Sequence, residues 1–435
     1  MTSQPEPSSK QAVDIPENWQ RPFFSIWIGQ ALSLAGSRIV QFALIWWLAL
    51  QADRATVLTT ATIVALVPEI LLSPIAGAYI DRWNRRLVLI FADATVALGA
   101  LILGYLFWSG NIEIWHIYAL MFIRSLAGSF HWPAMQASTS LMVPDHYLTR
   151  VAGVNQALNG ALTIVGPLLG ALAVEALTMG QVMAIDVGTA LLAIIPLLFV
   201  FIPQPKRTDQ GEEKSSIWSD LAVGFRYVIG WRGLLAIIFA AMLIHLVLTP
   251  AFTLLPLLVK NHFGGGAVQL GILEGVSGIG MLLGGLILGV WGGFHRRIYT
   301  SLIGIIFMGL SLILLGFTPG AMFWLALVSV FIMGFMIPFV DGPIMAIMQA
   351  NVEADVQARV FTMMGSLLAI TSPIGLLIAG QLSDLIDLQV WFIAAGFACL
   401  AAGIGLSLTP SVIHIEDYRK GTPAEIPSAN DSMSD

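Results

Sequence analysis

Apolar stretches of about 20 residues or more alternate along this chain with short polar breaks, and twelve such stretches can be drawn. Crossing ~30 Å of hydrocarbon at ~1.5 Å per residue takes about that length. The pattern predicts membrane-spanning helices over 24–50, 57–80, 87–108, 112–134, 153–177, 182–202, 234–259, 268–291, 298–317, 322–346, 361–382 and 390–408. The expected fold class is therefore all-α integral membrane, with 12 transmembrane helices in two six-helix halves. A polar tail (1–22), a first half (23–202), a polar linker (203–231), a second half (232–409) and a second tail (410–435) complete the division. Within the linker, Ile217, Leu221, Phe225 and Val228 recur at helical spacing, which predicts an amphipathic helix lying on the membrane surface.

Composition agrees: 57% of the residues are hydrophobic and 11% charged, where a soluble domain carries about 25% charge. The formal net charge of −6 matters less than where the cations lie. With both termini cytoplasmic, 16 of the 20 Lys and Arg residues fall inside and only Arg54 and Lys260 outside, the remaining Arg38 and Arg124 lying within spans. That bias predicts a multi-pass protein of the cell (plasma) membrane and an even number of helices. The first 21 residues, with Pro5, Pro7 and Pro16, do not read as a cleaved signal. A single cysteine, Cys399, excludes an intrachain disulfide. None of the five Lys residues follows Gly, so a phosphate-binding loop is absent, and none of the seven His residues precedes Glu, so a His-Glu-x-x-His metalloprotease is absent. No enzymatic activity, cofactor, metal or nucleic-acid partner is expected.

Intramembrane charge is the next signal, because an Arg at mid-bilayer costs about 2.5–3.5 kcal/mol on insertion scales and needs a partner or a wet cavity. Arg38 and Arg124 carry that need, and Glu69 and Asp93 are the acids best placed by depth to meet it. A carboxylate whose partner and water access change can bind and release a proton. Glu69 is the first candidate, with Arg124 as the modulating charge and Asp93 next; a permanent Arg–carboxylate bridge is the alternative. Asp186, Glu175 and Glu274 lie toward outer ends of spans and Asp341 toward an inner end, where a membrane-interface role is expected. Gln41, Phe42, Trp46, His245, Phe252, Phe331 and Phe335 are the residues expected to offer an adaptable, mostly apolar pocket. The glycines of 271–289 predict close helix packing.

The halves echo one another. Pro133-Ala134-Met135-Gln136 and Arg150-Val151 recur as Pro343-Ile344-Met345-Ala346 and Arg359-Val360, and Gly166-Pro167 recurs as Ser372-Pro373. Between the second and third spans stands Gly77-Ala78-Tyr79-Ile80-Asp81-Arg82-Trp83-Asn84-Arg85-Arg86. Its Gly-x-x-x-Asp-Arg-x-x-Arg-Arg pattern resembles the second-to-third-helix loop of the major facilitator superfamily, with Asn84 where that family usually has Gly. Parallel six-helix repeats are that family's architecture. The segments Gly29–Leu34, Gln41–Leu48, Phe130–Gln136 and Leu148–Arg150 make the likeness strongest to drug:proton antiporters, in particular the macrolide-efflux branch.

The resemblance implies a cytoplasmic gate at Gly77, Asp81, Arg82, Arg85 and Arg86. It also implies a proton-coupling role for Arg124 within Arg-x-x-x-Gly, and a helix-5 motif of which Gly153, Gly166, Pro167 and Gly170 are present while Leu162 and Ala171 replace glycines. The function expected is proton-coupled efflux of hydrophobic or amphipathic small molecules by alternating access, with the lipid bilayer, protons and that substrate as partners of a monomer. A nutrient importer and a non-transporting receptor are the alternatives.

Overall fold

The computed structural model describes residues 18–52, 54–80, 83–204 and 217–417. Among them every regular element is a helix. A backbone surrounded by lipid must satisfy its own N–H and C=O groups, and a helix does so within one segment. The first six helices are α1 (Gln20–Gln51), α2 (Ala55–Ile80), α3 (Arg85–Ser109), α4 (Ile114–Met142), α5 (Asp145–Ala176) and α6 (Met179–Phe199). A shorter α7 (Ile217–Gly230) follows. Then come α8 (Arg232–Thr253), α9 (Leu255–Leu257) running into a π-helical turn (Leu258–His262), α10 (Ala267–Trp291), α11 (Arg297–Phe317), α12 (Phe323–Asn351), α13 (Ala354–Leu382), α14 (Gln389–Ser407) and α15 (Pro410–Ile413).

Twelve of these helices have spanning length, and eleven of the twelve are also strongly apolar. The exception is α4, whose 29 residues give ~43 Å of helix. Arg124, His131, Gln136 and a run of Ser and Thr dilute its hydropathy. Polar side chains close several connections: the Asn84 carboxamide accepts from Leu87 N–H at the start of α3, and Thr178 and Gln181 form a reciprocal capping box at the start of α6.

Two compact units divide the chain, residues 1–45 with 64–211 and residues 46–63 with 212–435. In the first, α3 packs against α4 and α6. Trp19, Phe23, Ile80, Leu89, Met142, Val151 and Leu197 belong to one buried apolar cluster near the turn that joins α2 to α3. In the second unit α12 packs against α10 and α11, and α14 against α11 and α8. A Cβ added at Gly284 would lie 2.1 Å from the Phe335 carbonyl oxygen, and one at Gly334 would lie 2.1 Å from that of Ser277. Backbone-to-backbone approach of α10 and α12 therefore requires glycine on both sides, as small residues allow in membrane bundles. The linker helix α7 packs on α13, where Gly224 meets the Arg359 carbonyl.

Candidate functional site

Two buried polar clusters lie in the first unit, and each joins α1 and α4 to one further helix. In the first, Arg124 of α4 forms an ion pair with Asp186 of α6 and donates from Nη2 to the Ser37 carbonyl of α1 at 3.3 Å. The Ser37 hydroxyl donates to the other Asp186 carboxylate oxygen at 3.1 Å. Asp186 is only 1% exposed. It therefore lies inside the helix bundle, its side chain turned toward the Arg124 guanidinium. A guanidinium does not lose its proton in proteins, so this cluster sets a fixed positive charge against a carboxylate.

The second cluster comprises Gln30 of α1, Asp93 of α3 and His131 of α4. Gln30 Nε2 donates to Asp93 Oδ2 at 2.8 Å, and Gln30 Oε1 lies 2.9 Å from His131 Nε2. That same imidazole nitrogen is 3.4 Å from Asp93 Oδ1. An amide oxygen only accepts, so Nε2 carries a hydrogen whichever form the ring takes. With a neutral ring and an ionised carboxylate the cluster bears one negative charge, and one added proton brings it to zero. Asp93 is 7% exposed and Gln30 8%, so both lie in the low-dielectric interior.

Glu69, the acid first expected to meet Arg124, lies exposed on α2 and makes no hydrogen bond or ion pair among the described residues. Arg38 likewise forms no ion pair among them, and its Cβ packs 3.1 Å from where a Cβ at Gly166 would stand. In the same helix pairing, a Cβ at Gly170 would meet Phe42 at 2.7 Å, so Gly166 and Gly170 let α5 close on α1. Pro167 lies between them within α5, and Gly153 has open space before it.

Of the turn after α2, Asp81 and Arg82 fall outside the described residues, and Gly77 lies within the α2 helix. The two following arginines hold helix backbones of the first unit. Arg85 donates from Nη1 to the Ala137 carbonyl of α4 at 3.0 Å. Arg86 donates from Nε to the Leu197 carbonyl and from Nη2 to the Leu198 carbonyl at 2.5 Å, capping α6 where its last carbonyls lack helical partners.

The residues expected to line a pocket fall in both units. Gln41 and Phe42 belong to the first, and Phe42 is 5% exposed against α5. Trp46, His245, Phe252, Phe331 and Phe335 belong to the second, where Trp46 is buried and the Phe331 and Phe335 rings lie 6.1 Å apart on α12. His131 and Gln30 are the residues that sequence reasoning missed. Matching depth from helix ends would have found them: Gln30 is ten residues from the start of α1, Asp93 eight from the start of α3, and His131 eleven from the end of α4. These three ends lie on one side of the bilayer in an alternating series of spans.

Comparison with known proteins agrees with this architecture. A family model described as Major Facilitator Superfamily matches residues 26–264 and 237–430. Macrolide efflux protein A of Streptococcus pyogenes is 33% identical over 386 residues, covering 88% of this chain and 95% of that protein. The multidrug efflux pump Tap of Mycobacterium tuberculosis is 26% identical over 418 residues, covering 91% and 95%. Among solved structures, a mutant of the nucleoside transporter NupG superposes with a TM-score of 0.68 at 13% identity, covering 90% of this chain and 99% of that one, a likeness of fold. The family match spans nearly the whole chain and a relative above 30% identity runs along most of it, so this protein belongs to the major facilitator superfamily.

Proposed function

We propose that this chain is a secondary active transporter of the plasma membrane that exports hydrophobic or amphipathic small molecules, of the macrolide or multidrug type, in exchange for protons by alternating access. The full-length likeness to macrolide efflux protein A and to the pump Tap supports the substrate class. Proton exchange rests on one observation above all, the buried Asp93 carboxylate held between Gln30 and His131. That cluster is neutral with one proton bound and singly negative without it. Access to water on one side or the other lets the proton arrive or leave. Glu69 contributes less to this reading, because nothing described pairs with it.

The remaining roles follow from position. With both termini cytoplasmic, as the distribution of Lys and Arg favours, the Asp81–Arg86 turn is a cytoplasmic gate. Arg85 and Arg86 anchor its base to α4 and α6, and Gly77, Asp81 and Arg82 supply the part that engages and releases. Arg124 with Asp186 braces α4 against α6 beside the proton-carrying cluster. The working unit is a monomer, and no enzymatic step is involved. One charge moving through 100 mV supplies about 2.3 kcal/mol, more than the ~1.4 kcal/mol needed for each tenfold gradient of a neutral compound. One proton per cycle is therefore sufficient for more than tenfold export.

Inverted membrane vesicles test this directly. Energised to an acidic interior, vesicles carrying the protein should accumulate macrolides or lipophilic dyes, and collapse of the pH gradient should release them. Accumulation unaffected by the collapse would remove protons as the driver, and no accumulation of any compound by folded protein would remove the export reading.

A further inference from the structure

The far end of the α1–α2 hairpin, opposite the Asp81–Arg86 turn, is included with the second unit through residues 46–63. Both of its helix ends are held there by charges. At the C-terminal end of α1, Lys260 Nζ donates to the Ala49 carbonyl at 2.9 Å. At the first residue of α2, Ala55 N–H donates to Asp384 Oδ1 at 3.0 Å. The neighbouring Thr56 hydroxyl lies 2.7 Å from both Asp384 Oδ2 and the Gly380 carbonyl. Final carbonyls and first amides of a helix lack partners within the helix and carry its partial negative and positive charge. A cation thus meets the negative end of α1 and an anion the positive end of α2. The sign is right at each.

The surrounding geometry gives this contact little slack. A Cβ at Gly380 would stand 2.5 Å from the Thr59 hydroxyl, so α13 approaches α2 closely only because residue 380 is glycine. Thr59 is 2% exposed. Lys260 is carried by the π-helical turn Leu258–His262, and His262 ties that turn down through the Thr318 carbonyl at 2.8 Å and through Gln389 Nε2. A π turn displaces the side chains that follow from their α-helical directions, which re-aims Lys260.

We propose that Lys260 and Asp384 form a two-point electrostatic clasp on the α1–α2 hairpin, an outer gate that must open each time the carrier exposes its substrate path to the outside. It rests on the alternating-access reading and on the orientation given above. Neither residue belongs to the charged turn between α2 and α3, so the two ends of the first hairpin are gated by different chemistry. At the inner end arginines grip carbonyls, whereas at the outer end one cation and one anion each hold a helix terminus.

Thiol labelling provides the test. Cys399 is the chain's one cysteine and is buried, so a Cys399→Ser background carrying Thr59→Cys reports on the clasp alone. In whole cells a membrane-impermeant maleimide should label Thr59→Cys slowly. Adding Asp384→Ala or Lys260→Ala should speed labelling roughly three- to thirtyfold, the range a charge at a partly buried helix end is worth, and Asp384→Asn should speed it less. Asp387→Ala, three residues from Asp384 in the same connection, should leave the rate unchanged. Equal rates in all variants would overturn the clasp. Where Asp384→Ala fails to fold, Thr56→Cys with Asp384→Cys answers the same question. The pair should form a disulfide under mild oxidation that stops dye export until it is reduced, and export unaffected by the formed disulfide would overturn the gate. Labelling needs no substrate, so faster labelling in a protein that exports no compound would leave the clasp standing while removing the efflux reading.

Discussion

The two polar clusters of the first unit are built on the same seam and differ in one chemical respect. Ser37 stands seven residues beyond Gln30 on α1, and Arg124 seven residues before His131 on the antiparallel α4. Seven residues are nearly two full turns, so each pair shares a helix face and the clusters form two layers about 10 Å apart along the axis. In one layer a guanidinium and a carboxylate form an ion pair. In the other an imidazole and a carboxylate share an amide. The same architecture therefore yields an ion pair in one layer and, on the proposed reading, a proton-carrying group in the other.

The largest effect should come from breaking the brace. Asp186→Ala leaves Arg124 charged with only the Ser37 carbonyl to receive it, and an uncompensated buried charge costs about 3–5 kcal/mol. Folded yield and thermal stability in detergent should fall together. The neutral pair Arg124→Gln with Asp186→Asn should recover most of that loss. Wild-type stability in Asp186→Ala would mean that the layer braces nothing.

Asp93→Asn should do the opposite. An asparagine can still accept from Gln30 Nε2, so the fold survives, but the group that gains and loses charge is gone. Gradient-driven accumulation in inverted vesicles should drop about 100-fold, the lower end of what a positioned proton-carrying group contributes, while downhill exchange of substrate continues. Loss of stability without loss of coupling would reduce this layer to a second brace.

Sequence alone carried the helices because the bilayer demands long apolar runs, and only α4 stood below the others, diluted by the polar residues that build both layers. It also pointed to Arg124 as a residue in need of a partner. The partner itself was not legible. Depth along a helix can be counted in residues, whereas the direction of a side chain around the axis depends on how helices are rotated against one another. Glu69 satisfies depth yet pairs with nothing among the described residues, and Asp186, seven residues from the start of α6, meets the long Arg124 side chain. Gln30 and His131 were obscured for another reason. They are 101 residues apart in sequence, and neither is charged in its ordinary state at neutral pH, so no insertion penalty drew attention to them.

The smallest effect and the sharpest distinction should come from His131→Gln. Glutamine can still donate to Gln30 Oε1 and lie against Asp93, which preserves the hydrogen-bond geometry while removing the second site at which the proton can reside. If the pair holds the proton jointly, export should slow about tenfold, ~1.4 kcal/mol in the step that moves it, and the dependence of export on pH should change form, because the second proton site is gone. If the imidazole only packs, rate and pH profile should both match the wild type. The proton-carrying group would then reduce to Asp93 and Gln30, and the two layers would differ by a lone carboxylate, not by an imidazole–carboxylate pair.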